Sequence, residues 1–354
     1  MSKYISAMTS ALITGITGQD GSYLAEFLLQ KNYEVYGLSR RTSTKNLWRI
    51  QHLKSRDDFH LLEGDLADQS SLNRAVRKSA PDEVYNLAAQ SFVGTSFNQP
   101  IYTGDITGLG TTRMLEAVRQ YASDCRFYQA STSEMFGEVA EMPQDEETKF
   151  NPRSPYGVAK LYGHWSTINY REAHDIYAVS GILFNHESPR RGQEFVTRKI
   201  AQGAAAIAAG EQEELRLGNL DAKRDWGHAR DYVKAMHKML QQPKEEAREY
   251  VVGTGQTHTV RRCAEIAFDE VGLDYEDYVV VDEKFYRPAE INVLKADASH
   301  TREYLDWEWK ISFEELIQEM VRVEQERVQR GDKFWLPQES GILEETSSSM
   351  AGRE

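Results

Sequence analysis

Two sets of side chains in this sequence have the types and spacing for proton and hydride chemistry. Tyr156 and Lys160 stand four apart in Tyr156-Gly157-Val158-Ala159-Lys160, so on a helix they share one face, one above the other. Pro155 immediately before them suits the first turn of such a helix. A free tyrosine titrates at about 10 and must fall by several units to act as a base, each unit being worth about 1.4 kcal/mol. A neighbouring lysine and a nicotinium charge can supply that fall. The couple then needs only a nicotinamide to oxidise an alcohol. Upstream, Ser131-Thr132-Ser133-Glu134-Met135-Phe136-Gly137 adds a carboxylate. An added carboxylate implies a second proton removed elsewhere on the substrate, and that points to elimination.

Positioning these groups requires a strand-to-helix framework. Short apolar runs at Ala11–Thr14, Glu34–Leu38, Phe59–Leu62, Glu83–Leu87, Arg126–Ala130 and Tyr177–Leu183 alternate with helix-like segments, including Tyr23–Lys31 and Thr107–Tyr121. Strands alternating with helices predict an α/β fold, a doubly wound parallel sheet of Rossmann type covered on both faces. Thr132 and Glu134 then lie just beyond a strand's carboxyl end, where open sheets bind ligands. Read alone, Glu134 is equally a solvated loop carboxylate; its place favours the catalytic role.

After Asn185 the rhythm turns irregular, with a loop at Ser188-Pro189, a helix over Arg198–Ala209 and a strand over Glu214–Leu217. The expected organisation is a dinucleotide-binding domain over 9–184 with returning segments near 221–255 and 290–300. A smaller substrate domain, interleaved with it, takes 185–220 and 256–337, and a polar, disordered tail takes 338–354.

Gly15-Ile16-Thr17-Gly18-Gln19-Asp20-Gly21 follows the first strand and opens a helix, so its backbone can approach a pyrophosphate met by N–H groups at the helix start. A tight turn without a ligand is the ordinary alternative, and the strand–turn–helix setting weighs against it. The second strand ends in Ser39-Arg40-Arg41 rather than an acidic residue. Paired guanidiniums suit a 2′-phosphate in charge and fork geometry, which favours NADP over NAD. Were Arg40 and Arg41 ordinary solvated charges, that preference would lapse. Asp65 and Leu66 after the third strand could contact adenine. The run Leu87, Ala89, Gln90 and Ser91 after the fourth could pass the phosphates and nicotinamide ribose.

The chain has 354 residues, 40% of them hydrophobic, and a formal charge of −13, which argues against general binding to nucleic acid or an anionic membrane. Screening limits surface fields to roughly 8 Å, so clustered arginines can still build a cationic pocket. No signal-like or membrane-spanning apolar run is present, and a cytoplasmic location is expected. Cys125 and Cys263 match no metal spacing, and His186-Glu187 is not part of an H-E-x-x-H string, so no metal is expected.

The strings Gly15–Glu26, Phe127–Glu134, Ser154-Pro155-Tyr156, Asn185–Gly192, Phe195–Ile200 and Arg224–Ala229 closely resemble the GDP-mannose 4,6-dehydratase family, within the extended short-chain dehydrogenase/reductases. The resemblance runs from Ala11 to about Val328. It implies a hydro-lyase that converts GDP-D-mannose to GDP-4-keto-6-deoxy-D-mannose with NADP, a first step toward deoxysugars such as GDP-fucose. It further implies that Thr132, Glu134, Tyr156 and Lys160 are catalytic and that Tyr102, His186 and Arg191 join the cofactor site. Ser91, Asn185, Val196, Lys199, Leu217, Gly218, Arg224, Arg287 and Glu290 would hold the GDP-sugar, and the assembly would be a homodimer or homotetramer. His186 as a satisfied core histidine and Arg224 paired with Asp225 are the ordinary alternatives. Phe92 stands where the family generally has His, and the loop Thr42–Trp48 departs from the family's Ser-rich one. Two rival readings are open: a nucleotide-sugar epimerase or reductase, which has no use for Glu134, and an idle NADP-binding regulator, which needs only the glycine turn.

Overall fold

The computed structural model describes residues 8–44, 46–139, 141–285 and 293–337. The tail over 338–354 and the candidate ligands Arg287 and Glu290 lie outside them.

The chain opens with β1 (Ser10–Thr14), α1 (Gln19–Gln30), β2 (Glu34–Ser39), β3 (Phe59–Glu63), α2 (Gln69–Ser79) and β4 (Glu83–Asn86). Short helices α3 (Val93–Asn98) and α4 (Pro100–Thr103) lead through a π-helical stretch, Gly104–Leu109, into α5 (Gly110–Tyr121). Then come β5 (Arg126–Thr132), α6 (Pro155–His174), β6 (Ala178–Leu183), β7 (Asn185–Glu187), α7 (Val196–Ala208), β8 (Leu215–Leu217), β9 (Lys223–His228), α8 (Ala229–Leu240) and β10 (Glu249–Val252). The described chain finishes with β11 (Thr257–Thr259), α9 (Val260–Asp269), β12 (Val279–Val281), β13 (Val293–Leu294), α10 (Ser299–Leu305) and α11 (Phe313–Arg330).

Seven strands form one parallel sheet in the order β10-β6-β5-β4-β1-β2-β3, a doubly wound Rossmann-type arrangement. Its central strands are buried on both faces, as their apolar runs require. Alternation along β1 shows the two layers: Ala11 and Ile13 pack with α1 and α8, whereas Leu12 joins α2 and α5. The order reverses between β1 and β4, which leaves a crevice at the carboxyl ends of these strands.

A second core gathers Ile200 and Ala204 of α7, Trp226 of β9, Phe268 of α9 and Leu316 and Met320 of α11. Between contributions to it the chain returns to the sheet through α8 and β10. Asp225 of β9 fixes that return: its carboxylate accepts from Thr254 N (2.9 Å) and Oγ1 (2.6 Å), Gly255 N (2.8 Å) and Ala296 N (3.2 Å).

Most expected elements shift by a residue or two at their edges, and three of the shifts bear on the site. β5 runs two residues further than its apolar run, so Thr132 belongs to the strand rather than lying beyond it. Helix α1 begins at Gln19, four residues early, and takes in Gly21 and Ser22. Gly21 is there for space: a Cβ on it would meet Gly15 O at 2.4 Å. The helix expected from Thr107 begins upstream as the π-helical stretch.

Candidate active site

The first-turn N–H groups of α1 have no side-chain cap, because the N-cap is Gly18. Gly15 has φ +71°, and a Cβ there would stand 2.9 Å from Ala88 N. The turn is thus closed to side chains and open to a ligand's pyrophosphate, which is the fit a dinucleotide requires. Thr17 contributes its carbonyl to Arg49 Nη1 at 3.2 Å.

Farther along the sheet, Arg40 Nη1 donates to the Tyr102 hydroxyl at 2.7 Å, and both groups are exposed beside Arg41. Asp65 and Leu66 turn the chain after β3, with the Asp65 carboxylate accepting from Ala67 N at 2.9 Å and Leu66 buried against Gly110. Gln90 is committed to its own loop: its amide accepts from Phe92 N (2.7 Å) and donates to Phe92 O (3.1 Å).

A cleft of about 900 Å³ opens next to this turn. Thr132, Glu134, Tyr156 and Lys160 all line it, with Asp20, Leu87, Ala89, Ser91, His186 and Arg191. Its far wall carries Asn185, Val196, Lys199, Leu217, Gly218 and Arg224. Phe92 is there too, edge-on to Phe195 with ring centroids 5.5 Å apart. Glu194, Trp226 and Phe285 are lining residues that the sequence did not single out. No local signal marks them, since they reach the cleft from three different segments.

The catalytic candidates are seated by α6. Ser154 caps it by accepting from Gly157 N at 3.0 Å, with Pro155 in its first turn. Gly157 lets the helix lie against the Glu134 backbone; a Cβ there would meet Glu134 O at 2.7 Å. Lys160 Nζ donates to Ala130 O at 2.7 Å and lies 5.8 Å from the Tyr156 ring centre. Thr132 Oγ1 accepts from Glu134 N at 3.3 Å.

Burial pushes the Tyr156 phenol above its ordinary value; the Thr132 hydroxyl beside it pulls down and the Glu134 charge pushes up. The lowered value expected from the sequence is therefore not a property of the chain alone. Burial also lowers Lys160, to about 8, with Asp20 opposing.

His186 is buried with both ring nitrogens engaged: Nδ1 lies 2.9 Å from Phe184 O and Nε2 2.8 Å from Asp20 Oδ2. It is thus a satisfied buried histidine, and it also lines the cleft. Gln19 reinforces the contact, donating to His186 O at 3.0 Å and accepting from Ser188 Oγ at 2.7 Å. Beyond it, buried arginines hold the turn's carbonyls: Arg49 to Arg190 O (2.7 Å), Arg198 to Pro189 O (2.9 Å) and Arg191 O (2.8 Å), and Arg327 to Pro189 O (3.0 Å). Arg191 pairs with Glu187 at 3.0 Å and lies over the Phe195 ring. Arg224 donates to Lys223 O at 2.8 Å, while Asp225 gives its oxygens to Thr254, Gly255 and Ala296. Lys199 donates to Arg216 O at 2.6 Å.

Among the described residues no group of three His, Cys, Asp or Glu could hold a metal ion, and no helix is long and apolar enough to cross a membrane. Cys125 and Cys263 are buried, and burial pushes the Cys125 thiol up to about 12.

The family model described as GDP-mannose 4,6 dehydratase matches residues 12–320. The chain belongs to the GDP-mannose 4,6-dehydratase family. It is 49% identical over 350 residues to the GDP-mannose 4,6 dehydratase of Dictyostelium discoideum, covering 92% of this chain and 98% of that one. It is 49% identical over 341 residues to that of Homo sapiens, covering 89% and 91%. Among solved structures, a dTDP-glucose 4,6-dehydratase of Streptomyces venezuelae with NAD bound superposes with a TM-score of 0.80 at 23% identity, covering 91% of this chain and 98% of that one. At that identity the likeness shows the shared fold.

The Asp20–His186 pair predicts a pH signature. Burial opposes both charges, but their attraction prevails, holding Asp20 below its ordinary 3.8 and His186 above 6.5. A raised histidine contributes stability in full below pH 6.5 and loses it as pH rises through its folded value. A depressed aspartate contributes above pH 3.8 and loses it as pH falls through its folded value. Asp20→Asn should therefore cost on the order of 1 kcal/mol at about pH 5 and less in alkali, read from urea midpoints across pH. A cost that does not vary with pH would exclude the charged pair.

Proposed function

We propose that this chain dehydrates GDP-D-mannose to GDP-4-keto-6-deoxy-D-mannose in an NADP-dependent reaction. The observation that carries the reading is the convergence of Thr132, Glu134, Tyr156 and Lys160 on one cleft beside the glycine turn. An epimerase or reductase has no work for Glu134, and a cofactor sensor has none for any of the four.

A bound dinucleotide would supply the hydride acceptor for C4 of the sugar and the hydride donor for C6. Tyr156 receives the C4 hydroxyl proton, with Thr132 holding the same oxygen. Lys160 keeps a positive charge in the wall behind that tyrosine. Oxidation makes C4 a ketone, which acidifies the proton on C5. Glu134 takes that proton and delivers it to the departing C6 hydroxyl, which leaves as water. With hydride returned to C6, a proton from solvent to C5 and the Tyr156 proton released to solvent, the balance is the loss of one water and no net redox change.

Arg40, Arg41 and Tyr102 would hold the 2′-phosphate, and Gly15, Thr17, Gly18, Gln19 and Asp20 the pyrophosphate side. Asp65, Leu66, Leu87, Ala89, Gln90, Ser91, His186 and Arg191 complete the cofactor wall. Asn185, Val196, Lys199, Leu217, Gly218 and Arg224 would take the GDP-sugar, so the second core is read as the substrate-binding domain. Self-association into a homodimer or homotetramer has support in an open groove beside α6. Ile101, Leu109, Val158, Tyr162 and Trp165 are exposed there or next to it. An apolar surface of that kind is usually covered.

Purified chain given GDP-mannose and NADP⁺ should yield a sugar nucleotide lighter by one water, without NADPH accumulating, by mass spectrometry and absorbance. Unchanged sugar, or stoichiometric NADPH, defeats dehydration, and a panel of other nucleotide sugars tests the choice of mannose. Glu134→Gln should slow turnover by about 100-fold to 10,000-fold while keeping C4 oxidation; wild-type turnover removes Glu134 from the mechanism. Arg40→Ala with Arg41→Ala should raise KM for NADP⁺ by roughly 10-fold to 100-fold and change KM for NAD⁺ little. Equal effects on the two coenzymes would show that neither arginine reads the phosphate. Sedimentation velocity at micromolar concentration should show a dimer or larger, and a monomer would refute self-association.

A further inference from the structure

Helix α6 carries a third polar side chain on the stripe that bears Tyr156 and Lys160. His164 follows Lys160 by four residues and is 2% exposed. Its Nδ1 lies 2.9 Å from Ser180 Oγ and 3.3 Å from Ser131 Oγ, and the two hydroxyls are 2.7 Å apart. Ser131 and Ser180 are themselves buried, on the adjacent strands β5 and β6. The triangle therefore ties three elements together through contacts that are all buried.

Its place along β5 gives it a use. Ala130, Ser131 and Thr132 are consecutive. The Ala130 carbonyl takes Lys160, the Ser131 hydroxyl faces His164, and the Thr132 hydroxyl faces Tyr156. Three successive turns of α6 thus meet three successive residues of β5, that of His164 through the Ser180 hydroxyl of β6, and two of those turns carry the groups assigned to the reaction. Apolar packing alone lets a helix slide by fractions of an ångström, whereas hydrogen bonds of this length fix its register. Burial lowers the imidazole to about 4, so it is neutral near pH 7. With the proton on Nε2, Ser180 donates to Nδ1 and Ser131 donates to Ser180, and every hydroxyl is satisfied.

We propose that His164 is a positioning residue. Through Ser131 and Ser180 it sets the register of α6 on β5, and so the placement of Tyr156 relative to Thr132 and Glu134 across the substrate. A misplacement of 1 Å at reacting groups costs on the order of 100-fold in rate. The inference rests on the dehydratase reading for its effect on rate but not for its effect on structure.

Both effects are measurable in the full-length chain. His164→Leu removes the polar atom, while His164→Asn keeps an amide close to the position of Nδ1. The leucine variant should lose about 100-fold in kcat with KM for GDP-mannose little changed, and the asparagine variant should regain most of the loss. Amide exchange across 131–135 should speed up in the leucine variant, while β1–β3 exchange as in the wild type. Ser180→Ala, which removes a single hydroxyl, should cost about 10-fold in kcat and keeps the claim testable if His164→Leu does not fold. A leucine variant with wild-type kcat and exchange overturns the proposal. Equal losses for leucine and asparagine do so as well, because shape rather than the polar atom would then set the register. A wild-type chain that dehydrates no nucleotide sugar sinks the functional reading instead, and the exchange comparison still decides the role of His164.

Discussion

The seating of one helix on one strand is the constraint on which the rest depends. Helix α6 lies against the Glu134 backbone just past β5 because residue 157 has no side chain, and the Lys160 ammonium closes on the Ala130 carbonyl of β5. An ammonium buried without a partner would cost several kcal/mol. The contact therefore holds the helix in place as firmly as it holds the charge. With it in place, a phenol, a hydroxyl and a carboxylate from two distant stretches of chain share one wall of the cleft.

The turn that leads into the opposite wall is held by charge. Arg49, Arg198 and Arg327 turn their donors on the carbonyls of Pro189, Arg190 and Arg191, and Glu324 neutralises part of their charge from α11. Such buried networks add little net stability, because desolvation cancels most of the attraction. What they supply is one defined path for a turn that must leave the sheet, pass the cleft and enter the second core. Gln19 and Asp20 join the same turn to the start of α1 through His186, so the sheet and the second core share that joint.

How much of this the sequence discloses follows from how local each cause is. The six strands from β1 to β6 are legible as short apolar runs, because a strand covered on both faces must be apolar throughout. The glycine turn and the Tyr156–Lys160 pair are legible because each works within a single element. The seventh strand, β10, falls within the segment near 221–255 expected to return to the sheet domain, but as a strand it is not legible. Glu249–Val252 resembles any short apolar run until it pairs with β6, across a gap of more than 60 residues in sequence. The hydrogen bond from Arg40 to Tyr102 hides for the same reason. Helix α11 has a local signal that the sequence expectations passed over: Ser312 and Glu315 form a capping box ahead of Leu316, Ile317 and Met320. The triangle around His164 has none, since two serines and a histidine acquire meaning only when their elements meet.

The neutral phenol of Tyr156 has a consequence of its own. Burial holds this phenol protonated even with Lys160 in the same wall, so the work of ionising it is not met by the fold alone. An exposed phenolate would be open to stray electrophiles and would need its own solvation. The buried, neutral phenol is spared both.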